Sequence, residues 1–123
     1  LCAVVDGVDA VTRLVRENLF RGSNFIKFMG SGGVSSKGDK LDSMQFSDEE
    51  VRAIVGEVER HGAYCTAHIH PDAALKRAIR LGVHCIEHGT LIEPDTARMA
   101  ADGDTAIVPT MAIIASLAAR GRE

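Results

Sequence analysis

YCTAHIHPDAALKRAIRLGVHCIEH, residues 64–88, contains two short apolar runs separated by one amphipathic stretch. Tyr64–Ile69 is strand length and alternates, so Tyr64, Thr66, His68 and His70 share one face while Cys65, Ala67 and Ile69 share the other. Pro71 and Asp72 then open a helix whose apolar face carries Leu75, Ala78 and Ile79, and Gly82 stops it. Val83–His88 follows as a second strand, with His84, Ile86 and His88 on one face and Val83, Cys85 and Glu87 on the other. A strand, a helix and a second strand so closely spaced form the unit of a parallel sheet.

The same alternation extends in both directions. Upstream, Val8, Val11, Leu14, Val15 and Leu19 recur at helical spacing over Val8–Phe20, and Asn24–Met29 is a buried strand that runs into Gly30-Ser31-Gly32-Gly33. Residues 30–46 form a long polar loop, flexible at its glycine-rich start, of the kind that is functional or mobile in a compact unit. Ser47 and Glu50 make a capping box ahead of Val51, Ile54, Val55 and Val58, and Gly62 ends that helix. Downstream, Pro94 and Asp95 open a helix that ends near Gly103, Thr105–Met111 is a fourth strand, and SLAARGRE begins another helix. The fold class is therefore α/β with about four parallel strands, an order that doubly wound sheets and barrels both satisfy.

The balance of charges excludes several function classes. A net charge of −3, scattered basic residues and 4% aromatic content leave neither a phosphate-binding stripe nor a stacking platform, so no nucleic-acid partner is expected. No apolar run approaches membrane-spanning length, and the start has no signal-peptide pattern. Three cysteines, Cys2, Cys65 and Cys85, suggest no disulfide framework, which favours a reducing, cytoplasmic compartment. The chain starts at Leu1 rather than Met, and 1–123 reads as one piece of a longer catalytic domain.

The polar residues that break the apolar pattern fall at strand C-termini, the edge where α/β sheets bind ligands. Lys27 shares a face with Phe25 and Met29, opposite Ile26 and Phe28. It pairs with a buried carboxylate or snorkels to the loop, or its neutral amine reacts with carbon dioxide to give a metal-bridging carbamate. Lys27, His68 and His88, at three consecutive strand ends, are placed to converge on a metal. His68 ranks ahead of His70, which either ligates or binds substrate just above the metal. His84 reads as a packed or rim residue and His61 as a surface one. The doubled C-x-x-H, Cys65 to His68 and Cys85 to His88, is not a zinc site on this reading, because residues three apart in a strand face opposite ways and both cysteines would turn to the helices. Gly30, Gly32 and Gly33 allow a small-anion nest as a weaker alternative.

IKFMGSGG at 26–33, AHIH at 67–70, IEHGT at 86–90 and VPT at 108–110 together resemble the amidohydrolase superfamily. The likeness is strongest to its imidazolonepropionase-like and Xaa-Pro dipeptidase-like (prolidase) branch. The resemblance implies part of a TIM-type (β/α)8 barrel, namely strands four to seven. It implies one or two divalent metals, commonly zinc, with Lys27 carboxylated by carbon dioxide and bridging them, and with His68 and His88 as ligands. By the same analogy His70, Ser31, Gly32 and Thr110 line the pocket for a small amide or dipeptide substrate. The family's H-x-H pair on the first strand and its aspartate on the eighth have no counterpart here, and Asp102 and Asp104 precede a strand instead of ending one. By itself this chain is thus expected to be inactive and to self-associate, since four strands cannot close an eight-stranded wall. A noncatalytic half-barrel, serving as a metal-binding or assembly module, is the competing reading.

Overall fold

A computed structural model describes residues 3–34 and 38–121. In chain order the elements are α1 (Val8–Phe20), β1 (Phe25–Met29), α2 (Asp48–Arg60), β2 (Tyr64–Pro71), α3 (Asp72–Arg80), β3 (Cys85–Leu91), α4 (Pro94–Asp102), β4 (Ala106–Val108) and α5 (Met111–Arg120). Helix starts follow local chemistry. Ser47 Oγ accepts from the Glu50 amide and the Glu50 carboxylate accepts from the Ser47 amide at 2.6 Å, the reciprocal cap that the sequence predicts. Glu50 also accepts from the Gly7 amide at 2.7 Å, which ties the start of α1 to that of α2. A second link lies along the same pair of helices, where Arg16 donates to the buried Glu57 carboxylate at 2.8 and 2.9 Å.

The sheet order is β1-β2-β3-β4, and every neighbouring pair is parallel. A doubly wound sheet reverses direction at a switch point, whereas strands laid down in sequence order are the wall of a barrel. Helices cover one face: Val11, Val15, Val51, Ile54, Val58 and Leu75 pack with Ile26, Phe28, Cys65, Ala67, Ile69 and Ile86 in a single buried cluster. No helix among the described residues is long and apolar enough to cross a membrane.

The register corrects the faces assigned to the third strand. Thr66 pairs with Cys85 and His68 with Glu87, so Cys85 and Glu87 lie on the histidine face, while Ile86 pairs with Ala67 and is fully buried against the helices. Alternation sorts residues into two sets without saying which set faces the helices. Burying Ile86 decides it, and the Thr66 hydroxyl donates to the Glu87 carboxylate at 3.1 Å across the other face. Of the two cysteines expected against the helices, only Cys65 is there; both are free thiols, and Cys2 lies outside the described residues.

The loop after β1 is pinned rather than flexible where it is described. Ser31 bridges Met44 antiparallel, the Gly32 amide donates to Ser43 O at 3.1 Å, and Arg77 of α3 donates to Phe46 O at 2.7 Å and Asp48 at 2.6 Å. Gly32 is needed for this approach, since a Cβ there would sit 2.0 Å from Lys40 O. The amides of Gly30 and Ser31 both donate to His68 O and that of Gly32 to Ser43 O, so two of the three glycines expected in an anion nest, Gly30 and Gly32, have their amides spent on backbone acceptors.

Candidate metal centre

The site starts from the end of β2, where alternation puts His68 and His70 on the open face with their rings 4.7 Å apart. Alternation alone would send His88, two residues after Ile86, towards the helices. Two local departures reverse it. His88 has φ 76° and Gly89 φ 58°, and three steps along β3 from His88 to Leu91 match two along β2 from Ile69 to Pro71. Such a bulge re-aims a side chain, and a left-handed non-glycine residue costs roughly 1–2 kcal/mol, which the surrounding structure must supply.

The result is a compact trio. The His88 ring lies 4.6 Å from His68 and 4.8 Å from His70, stacked on the latter at 14°. One ring nitrogen from each of the three lies within 4.8 Å of the others. His70 Nδ1 is 2.9 Å from Thr90 Oγ1, and His88 Nδ1 is 2.7 Å from Thr110 Oγ1. His68 Nε2 is buried without a hydrogen-bond partner, a condition that costs about 1–3 kcal/mol when nothing else satisfies it.

Burial pushes the His70 imidazole down to about 4, and His68 and His88 beside it add to the effect. Burial also lowers His68 and His88, helped by His88 on the former and by the Lys27 ammonium on both. All three rings are therefore neutral at pH 7, the state in which imidazole is a ligand. Three neutral imidazoles, one with an orphaned buried nitrogen, fit a borderline-soft divalent ion such as zinc.

Lys27 lies on the same face, paired in register with Thr66, two residues below the Met29–His68 pair, and is exposed. Ser31 is fully buried; its hydroxyl accepts from the His70 amide at 3.2 Å and donates to Gly32 O at 3.3 Å, so it supports His70 from behind. Gly32 packs on the loop backbone, and Thr110 touches His88 directly. His84 lies at the other end of the strands, with Nδ1 3.6 Å from Cys65 Sγ, and His61 is exposed. Neither Cys65 nor Cys85 belongs to the group of His68, His70 and His88. Thr90 and Glu87 escaped the sequence reading.

A cavity of about 220 Å³ opens beside the trio, walled by Met29 and by Ile113, Ile114 and Leu117 of α5. Its floor of histidines lies at the C-terminal edge of a barrel wall, and residues 2–122 match the profile of the Amidohydrolase family. The chain belongs to that family. It is 36% identical over 114 residues to ochratoxinase of Aspergillus niger, covering 93% of this chain and 24% of the relative. Among solved structures, a crystal structure of an amidohydrolase superposes with a TM-score of 0.93 at 46% identity, covering 99% of this chain and 30% of that one. A prolidase complexed with N-methylphosphonate-L-proline gives 0.86 at 42% identity, covering 89% and 27%. The chain thus spans a quarter to a third of these amidohydrolases, and its four parallel strands correspond to part of their barrel.

Proposed function

We propose that the protein hydrolyses an amide-type C–N bond in a small molecule, a dipeptide or an acylated amino acid, with a divalent metal as cofactor. The observation that carries this reading is the meeting of three neutral imidazoles at the strand C-termini of an amidohydrolase barrel wall. The activities named for its relatives, ochratoxinase and prolidase, support the bond class.

A divalent metal, with zinc the ion these donors suit, supplies the acidity that activates water and polarises an amide carbonyl. The chain's own residues do the rest. His68 offers a buried, unpartnered nitrogen, and His88 is held in place through Thr110. Lys27 would serve as a carbamate: its amine, once deprotonated, would add to the carbon of carbon dioxide as one C=O π bond opens and a proton passes to water, leaving an anionic side chain at β1 that could take part in binding cations. Ile113, Ile114 and Leu117 of α5 give the cavity beside the histidines an apolar border.

Lys27→Ala tests the reading in the protein as its gene encodes it. Metal content by mass spectrometry and turnover of prolyl dipeptides and acylated amino acids are followed with and without bicarbonate. The expected result is bicarbonate-dependent uptake of a second ion and turnover in the wild type, both lost in the variant. Full metal content and unchanged turnover in Lys27→Ala would overturn the carbamate role, and no turnover of either substrate class by metal-loaded wild type would overturn the hydrolase reading.

A further inference from the structure

We propose that α5 and the start of the loop after β1 form an apolar subsite that selects amides carrying an uncharged aliphatic or aromatic group next to the scissile bond, with Ile113, Ile114 and Leu117 as its specificity-determining residues. The inference rests on the hydrolase reading above and names the substrate class within it.

α5 is unlike the helices before it. Each of α1, α2, α3 and α4 buries two or more residues against the body, whereas α5 buries none. Its large apolar side chains are still not scattered. Between Ala112 and Ala119 they are Ile113, Ile114 and Leu117, at helical spacing on one side, and every other position there is alanine or serine. All three line the cavity of about 220 Å³ beside the histidines. A helix that only covered the sheet would bury such a stripe in the core. The backbone accounts for the difference: Thr110, at φ 46° and ψ 43°, makes a left-handed turn directly after Pro109 that starts α5, while its hydroxyl lies 2.7 Å from His88 Nδ1. The helix is thus keyed to the site and not to the core.

The rest of the described lining is Met29, Gly33, Val34 and the histidines, with no carboxylate, ammonium or guanidinium among the described residues. A charged group brought there would leave water without a counter-charge, whereas each methylene would gain its transfer out of water. The mouth repeats this chemistry. Val34 is 56% and Ile113 47% exposed, and three more exposed apolar residues lie at the same edge of the sheet: Met44 beside Ser31, Leu91 at the end of β3 and Met111 at the start of α5. Large apolar side chains gathered around one opening mark a binding surface, and an apolar wall over a few polar groups is the usual make-up of a small-molecule site.

Two matched substrate series test this in the protein as its gene encodes it. One varies the acyl half of N-acyl-prolines, from acetyl through butanoyl to hexanoyl, and pairs 4-methylpentanoyl with succinyl, which is similar in shape but charged. The other varies the amino-acid half of N-acetyl amino acids, glycine, leucine and aspartate, so that the half seated against α5 is identified. In one series kcat/KM should rise about fourfold per methylene, and the uncharged partner should be preferred at least about 100-fold over the charged one. Ile114→Ala and Leu117→Ala, at positions outside the core, should each lower kcat/KM for the longest apolar substrate about 10-fold and leave the acetyl or glycine substrate within about twofold. Leu117→Arg should move the preference towards the charged partner, while Phe20→Ala, exposed at the end of α1, should leave it unchanged. Circular dichroism confirms that each variant is folded, and isothermal titration calorimetry on chelator-stripped protein ranks the same ligands without turnover. Flat series in both measurements, or a preference that survives both Ile114→Ala and Leu117→Arg, would overturn the subsite and leave the hydrolase reading standing. Metal-loaded protein that ranks the ligands in calorimetry but hydrolyses none would instead overturn the hydrolase reading alone.

Discussion

On the helix side of the sheet Ile26, Phe28, Cys65, Ala67, Ile69 and Ile86 are all 9% exposed or less, whereas on the other side Phe25 and Tyr64 are 44% and Val108 is 41% exposed. Both sets come from the same strands, one residue apart. The helix side obtains its burial from this chain, through α1, α2 and α3 packed along the strands. The opposite side has polar groups at the C-terminal edge and an aromatic pair, Phe25 stacked on Tyr64 at 5.2 Å, at the other end. Stability and chemistry are thus separated by the strand repeat of two: one face holds the fold together and the other is left to carry ligating atoms.

That division is broken most severely from the helix side. Leu75→Ala, at a fully buried position on α3, should cost about 3 kcal/mol in urea unfolding, whereas Val108→Ala on the open face should change stability by less than about 0.5 kcal/mol. Equal losses at the two sites would mean that the open face is as well packed as the helix side. A smaller effect of opposite sign is expected at the site itself. His68→Leu removes a buried nitrogen that lacks a partner and should raise metal-free stability by about 1 kcal/mol while abolishing metal uptake. Loss of stability together with metal would make His68 a structural residue. Between that loss at Leu75 and the near-neutral change at Val108 lies the aromatic pair: Phe25→Leu should cost about 0.5–1 kcal/mol, read from the same denaturation curves.

The sequence by itself determined the order of the elements, while several bounds moved: β3 runs Cys85–Leu91 where the sequence predicts Val83–His88, β4 ends at Val108 and not at Met111, and α5 starts at Met111, ahead of Ser116. The capping box at Ser47, the helical spacing of Val8–Phe20 and the alternation of β2 depend on neighbours a few residues away, and each appears where local chemistry puts it. It also determined that His68 and His70 share a face. Tertiary structure alone decided that the strands lie in sequence order, and that Cys85 and Glu87 face the histidines while Ile86 faces the helices. It also decided that His88 joins His68 and His70. The physical reason is one of range. Alternation has two phases that a single strand cannot distinguish, so burial of Ile86 in the core between sheet and helices selects one. Once that phase is set, His88 reaches the open face only through a bulge and a positive φ, which are held by the neighbouring strand and by Thr110 beyond β4, not by the residues on either side of it.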